Sequence, residues 1–409
     1  MQAYRILSMD GGGPWSLIQA KALSRLFGGE TQGREILEKF DLVAGNSGGA
    51  VVASALACNF TPDEIFGFFY DERARRRFFQ NTRWSWLTRW LELGPRYHTD
   101  RKIEGLKSVL RSDHSDVLDT ELTRLPAMLS LETHFLITAF DYDKERAVYF
   151  RSNDASLAGS PNSKRPSVTL VQAVHASSNA PINYFNKPAV FGESGSSRET
   201  EAPWEKRGRR YWDGGLSGLN NPVFAAVIEA LANGQPRECV QALSIGTGTV
   251  MLPLEDENIH PPWARKCKKS WIVADAHKAM TTILDDPPDA ATFHAYVALG
   301  HPLPPSGAPI RVVRMNPVIQ PQWDTAAHAW SPWKDDLGEE RFRALIDLDL
   351  DALRQGEIKR IEELCELWLA DADNVPNQPI RAGEDPPCNI GHDRFGKAEA
   401  AWRSLPSTC

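Results

Sequence analysis

Apolar and polar positions alternate in blocks near the start of the chain. Tyr4 to Met9 is a short apolar run that ends in Asp10 and three glycines, so it reads as a buried strand. Trp15 to Phe27 then places Leu17, Ile18, Ala20, Leu23, Leu26 and Phe27 at helical spacing. Phe40 to Ala44 reads as a second buried strand, and the small apolar run Gly48 to Ala57 as a buried helix. Strand, turn and helix, twice in succession, predict an α/β fold with a parallel sheet.

Further along, His134 to Phe140 and Ala147 to Phe150 flank the turn-like Asp141-Tyr142-Asp143-Lys144, which predicts a hairpin or adjacent strands. Cys239 to Ile245 runs into Gly246-Thr247-Gly248, and Ile310 to Met315 is stopped by Asn316-Pro317. Helices are expected over Val168 to Ala176, Pro222 to Ala232, and in the stretch Leu337 to Ala370. Ser152 to Pro166 and Gly192 to Gly208, rich in Ser, Gly, Asn and charge, read as long surface loops. No internal repeat is visible. The expected organisation is one catalytic domain over residues 1–370, followed by an irregular tail over 371–409 that carries several Pro and Gly residues and no sustained period.

Composition narrows the class. The 409 residues are 42% hydrophobic and 24% charged, with a net charge of -7. That balance gives no electrostatic basis for gripping nucleic acid. Six cysteines are scattered, none at CxxC spacing, so neither a disulfide framework nor a zinc site is expected, and the thiols read as reduced and structural. No apolar run approaches the length that spans a bilayer, and the N-terminus lacks a basic stretch followed by an apolar one. A soluble, cytoplasmic chain is expected, with any membrane contact peripheral. Arg75-Arg76-Arg77-Phe78-Phe79 leads into Arg83 to Leu91, where arginine and tryptophan interleave. That pattern suits a membrane interface or a helix that buries its aromatics while its arginines reach outward.

The chemistry centres on Gly45-Asn46-Ser47-Gly48-Gly49, a G-x-S-x-G turn between a predicted strand and a predicted helix. Such a turn exposes a serine hydroxyl at the carboxyl end of a sheet. The helix that follows aims its unpaired N–H groups at developing negative charge. The Gly48 N–H is then a candidate oxyanion donor. Asp10-Gly11-Gly12-Gly13 offers further backbone donors in a nest. It fits neither the dinucleotide fingerprint nor the P-loop, because Pro14-Trp15-Ser16 follows. A serine needs a base. Asp213-Gly214-Gly215, after the strand-like Arg210-Tyr211-Trp212, is one candidate. Among the histidines, His294, His301 and His328 fit the serine, acid, histidine order of α/β-hydrolases, and His175 lies near a motif, but none has a distinctive flank.

Taken in order, these stretches resemble the patatin-like phospholipase family. The resemblance rests on Asp10-Gly11-Gly12-Gly13, Gly45-Asn46-Ser47-Gly48-Gly49, Ala176-Ser177-Ser178-Asn179-Ala180-Pro181, Asp213-Gly214-Gly215 and Leu243-Ser244-Ile245-Gly246-Thr247-Gly248, and covers roughly residues 4 to 320. It implies a three-layer α/β/α sandwich with a mostly parallel central sheet and, here, a helical C-terminal region. It implies calcium-independent lipid acyl hydrolysis by a Ser–Asp dyad without histidine, and no cofactor or metal. Carried over, Ser47 is the nucleophile, Asp213 the base, and Gly11, Gly12, Gly13 and Gly48 the oxyanion hole. The expected substrate is a phospholipid, lysophospholipid or other acyl ester. A non-lipid carboxylesterase or acyltransferase on the same dyad is an alternative, and so is a non-catalytic binding protein that keeps the fold. One departure stands out: where the family's glycine loop continues with a basic residue and then glycine, this chain has Trp15 and Ser16.

Overall fold

Alternation along β1 (Tyr4–Met9) sends Leu7 and Met9 into one apolar layer and Ile6 into another. A strand covered on both faces reads as a continuous apolar run, which is why this one is visible in the sequence. The computed structural model describes residues 1–80, 95–111, 116–153, 168–181, 184–191, 208–252, 289–303, 305–326, 328–333, 338–348, 352–381 and 389–409. The other strands that matter below are β2 (Leu42–Gly45), β3 (His134–Asp141), β4 (Arg146–Arg151), β5 (Ala189–Phe191), β6 (Arg209–Asp213), β7 (Val240–Ile245), β8 (Thr249–Val250), β9 (Val312–Met315) and β10 (Val318–Ile319).

The described residues form an eight-stranded sheet in the order β5-β6-β3-β2-β1-β7-β9, with β4 also paired to β3. Five neighbours, β3, β2, β1, β7 and β9, run parallel. Val43, Leu243 and Ile245 share the layer of Leu7, whereas Leu42, Ala44, Val240 and Ala242 share that of Ile6. Helices Leu17–Phe27, Ser47–Ala57 and Leu170–Ser177 cover the first face. Helix Val223–Ala232 and the helical residues 289–298 cover the second. The result is the expected mostly parallel sheet between helical layers.

The chain passes from β1 to β2 on one side and returns to β7 on the other. The crevice between β1 and β7 is therefore the point where strand order reverses, the usual place for a site in an open α/β sheet. The pairing of β6 is what completes it. β4 occupies one edge of β3 through Leu136–Asp141. Both β2 and β6 must then use the other edge, β2 along His134–Ile137 and β6 along Ala139–Asp141. Because β6 is antiparallel, it ends at Asp213 opposite Ala139, two residues beyond the Ile137 that faces Gly45. Asp213 thus arrives head-on at the end of β2.

Leu337 to Ala370 holds helices as expected, Gly338–Ile346 and Gln355–Leu369. The sequence reading differs from the structure in two places. Residues 371–409 are not an irregular arm. They hold helix Phe395–Ser404 and bury Val375, Ile380, Ile390, Phe395 and Trp402 in the apolar layers. The thiols are not all free either: Cys239, at the head of β7, is bonded to Cys409 across a separation of 170 residues. Cys58 and Cys365 are free and buried. The arginine and tryptophan stretch Arg83 to Leu91 and nearly all of the two expected loops lie outside the described residues. Among the described residues, no helix is long and apolar enough to cross a membrane.

Candidate active site

The elbow has the strained geometry that its sequence predicts. Asn46 is extended, and Ser47 opens the following helix with φ at 48°. A left-handed conformation at a non-glycine residue costs roughly 1–3 kcal/mol and persists only where its surroundings hold it. The space is equally restrictive, since a Cβ on Gly49 would strike the Met9 carbonyl.

Asn46, fully buried, joins the parts. Its Nδ2 donates to Asp213 Oδ1 at 3.0 Å and to Asn220 Oδ1 at 3.4 Å. Its Oδ1 accepts the Thr138 hydroxyl at 2.8 Å and the Ser177 hydroxyl at 3.4 Å. Ser177 Oγ also accepts the Ser47 N–H at 2.9 Å, which ties the elbow to the end of helix Leu170–Ser177.

The Asp213 side chain is buried, and Oδ1 accepts the Gly215 N–H at 2.8 Å. Burial pushes the Asp213 carboxyl above the usual carboxylate range, while the bond from Gly215, the neighbouring Ser47 side chain, the bond from Asn46 and the charge of Lys102 pull it back down. A raised carboxyl beside a serine hydroxyl is equipped to accept its proton.

The glycine loop lies alongside. Gly13 has φ at 53°, and a Cβ on Gly48 would run into the Gly13 backbone, so these two amides are neighbours. Gly11 departs from its expected role. Its N–H already donates to the Asn220 carbonyl at 2.8 Å, and its own carbonyl accepts the Thr247 hydroxyl at 2.7 Å. Gly11 anchors the loop and is not a free donor. Among the described residues, no acceptor outside the local turns takes the amides of Gly12, Gly13 or Gly48.

Two features support the loop from behind. Trp15 is buried in the apolar layer, and a Cβ on Gly248 would lie 3.5 Å from its ring. The position where the family places a basic residue is filled here by core packing. Asp10 is gripped by Arg314 of β9, with Nη1 at 3.0 Å from Oδ1 and Nη2 at 2.6 Å from Oδ2. Arg314 also donates to Ser244 at 2.8 Å and to Gln378 at 3.3 Å.

Among the described residues, no histidine is hydrogen-bonded to Ser47 or Asp213. Burial, with Lys102 adding to it, lowers His175 to about 3, so it is neutral. His301 is lowered to about 4, chiefly by burial, and its Nε2 accepts the Arg311 N–H at 3.2 Å. His294 packs against the rings of Phe224 and Phe293, and His328 lies in an exposed turn. Among the described residues, no group of three or more His, Cys, Asp or Glu could hold a metal ion.

The model of the patatin-like phospholipase family matches residues 7–227, more than half of the chain. Protein teg of Priestia megaterium is 24% identical over 296 residues, which is 70% of this chain and 74% of that protein. Among solved structures, VipD from Legionella pneumophila aligns over 89% of this chain and 67% of its own, with 12% identity and a TM-score of 0.33. Full-length ExoU from the type III secretion system of Pseudomonas aeruginosa, solved in complex with SpcU, aligns over 73% of this chain and 53% of its own, with 13% identity and a TM-score of 0.24. This chain therefore spans about half the length of ExoU. The family match takes in the glycine loop, the elbow and the Asp213 turn, and the chain belongs to the patatin-like phospholipase family of serine lipid ester hydrolases.

Proposed function

We propose that this protein cleaves fatty-acyl esters of phospholipids or lysophospholipids through a Ser47–Asp213 dyad and an acyl-enzyme. The observation that carries the reading is the buried network that joins the two residues: Asn46, next to Ser47 in the elbow, donates to the buried Asp213 carboxylate at 3.0 Å, and the Ser47 side chain favours that carboxylate's ionised form. As Ser47 Oγ attacks the ester carbonyl, Asp213 takes its proton. The oxyanion that forms is met by the Gly12, Gly13 and Gly48 amides, each worth roughly 3 kcal/mol of barrier. Asp213 then protonates the leaving alcohol. Water, activated by the same carboxylate, attacks the acyl-enzyme and releases the fatty acid while Ser47 regains its proton.

Peripheral contact with a lipid surface fits a pair of exposed tryptophans, Trp323 and Trp330, whose rings meet across a two-stranded hairpin at a centroid distance of 5.3 Å. A carboxylesterase or acyltransferase would share the dyad and differ only in pocket and acceptor.

The test is profiling of products from mixed phospholipids by mass spectrometry, with Ser47→Ala as control and a fluorophosphonate probe to report the nucleophile. Free fatty acid from the wild type, and neither product nor label from Ser47→Ala, is the expected result. Labelling of Ser47 without fatty-acid release from any lipid would move the assignment to another acyl ester. Wild-type protein that takes no label would make this a non-catalytic relative.

A further inference from the structure

Lys102 is the single buried lysine among the described residues, with only 3% of its surface exposed. An ammonium taken out of water is costly unless it finds partners. It enters from helix Thr99–Val109, which packs against helices Glu72–Phe78 and Leu170–Ser177. Its Nζ donates to the Ser178 carbonyl and stands 4.1 Å from the centre of the Phe185 ring.

Ser178 lies between the two residues that hold the dyad. Ser177 Oγ accepts the Ser47 N–H at 2.9 Å, and the Asn179 carbonyl accepts the Asp213 N–H at 3.1 Å. One ammonium is thus fastened to the turn that touches both Ser47 and Asp213. Among the described residues, the charged groups around it leave Asp213 as its counterion. His175, from helix Leu170–Ser177, is buried and neutral. Arg75, from helix Glu72–Phe78, is turned to the carbonyls of Phe69, Tyr70 and Leu353. On the helix of Lys102 itself, Asp100 pairs with Lys187 at 2.5 Å and Lys107 with Asp119 at 2.7 Å. Asp213 is the anion whose charge acts on Lys102.

We propose that Lys102 is a positioning residue for ester hydrolysis: it clamps the Ser177–Asn179 turn and supplies the countercharge that keeps Asp213 ready as a base. The inference rests on the dyad reading above. Burial lowers the Lys102 ammonium to about 7, with Asp213 pulling it back up. Each charge favours the other, so the two groups titrate as a pair. Without the cation, Asp213 keeps only neutral donors and its carboxyl rises further. Activity that needs the ionised carboxylate is then lost at a higher pH as acid is added.

The experiment compares wild type, Lys102→Gln and Lys102→Arg as full chains on a water-soluble p-nitrophenyl ester, with kcat and KM measured against pH and folding checked by thermal unfolding. Glutamine keeps a donor for the Ser178 carbonyl and loses the charge, whereas arginine keeps the charge. For Lys102→Gln, the acid limb should move up by about one pH unit, and neutral-pH kcat should fall at least about tenfold with KM within about twofold. Lys102→Arg should keep the wild-type limb. A Lys102→Gln profile that superimposes on wild type overturns the proposal. So does a Lys102→Arg limb displaced as far as that of Lys102→Gln, because packing alone would then explain both. Should Lys102→Gln fail to fold, the Lys102→Arg limb decides: the wild-type position supports the countercharge and an upward displacement overturns it. Should the wild type cleave no ester, the dyad reading fails separately, and the rate of fluorophosphonate labelling of Ser47 against pH replaces turnover for the same variants.

Discussion

Two buried carboxylates stand at the carboxyl edge of the sheet, and they are held in opposite ways. Asp10, after β1, receives two bonds from the Arg314 guanidinium, at 3.0 and 2.6 Å. Asp213, the last residue of β6, accepts bonds from the neutral donors Gly215 and Asn46, while Lys102 acts on it through space. Burial pushes both carboxyls above the usual range. In Asp10 each oxygen is committed to a guanidinium nitrogen, and the group serves as a strut under the glycine loop. The Asp213 carboxylate has no cation bonded to it among the described residues, and the Ser47 side chain favours its ionised form. A bonded cation suits a carboxylate to a structural part, and neutral donors suit it to the part of base proposed above.

Substitutions that strip each site of its charge test that contrast. The largest effect is expected from Asp213→Asn, which should lower kcat on a soluble ester by about 10³–10⁴-fold, since the amide cannot take the Ser47 proton. Activity within tenfold of wild type would break the contrast and return the base to a histidine. Next comes Arg314→Met, which leaves Asp10 buried and unpaired and should cost roughly 3–5 kcal/mol in denaturant unfolding. Stability equal to wild type would show that the Asp10 pair is no strut.

The smallest effect concerns the stability of Asp213→Asn. A carboxyl raised on folding binds its proton more tightly in the native state than in the unfolded one. Its ionised form therefore costs stability above the folded value, and that cost disappears as pH falls through it. Asp213→Asn should accordingly unfold at a higher temperature than wild type at neutral pH, by about 1 kcal/mol in stability. The gain should vanish once the wild-type carboxyl is protonated. A lower unfolding temperature at neutral pH would mean that Asp213 also acts as a structural support.

What was legible in the sequence was local. The elbow needs its glycines within two residues of Ser47, the loop needs three in succession, and Asp213 precedes two more, so each leaves a short motif. What was not legible depends on contacts across the fold. Arg314 reaches Asp10 over 304 positions. Lys102 meets the Ser178 carbonyl from a helix with no motif of its own. Asn46 and Ser177 stood inside quoted motifs, yet nothing local marks Asn46 as the residue that joins Asp213 to the elbow. The order in the C-terminal tail was not legible for a local reason. Beyond residue 371, single buried anchors such as Val375 and Ile380 are separated by proline and glycine, so they form no period.

The head-on arrival of β6 separates chemistry from the connection that leads to it. Three register pairs with β3 set where Asp213 stops, and three with β5 lock the far edge. The residues that link Phe191 to Arg209 therefore join two strands already fixed to one another. A longer or shorter connection there should leave Ser47 and Asp213 in place, because the entropy of closure changes little with length. The same pair can therefore be built beneath quite different surfaces.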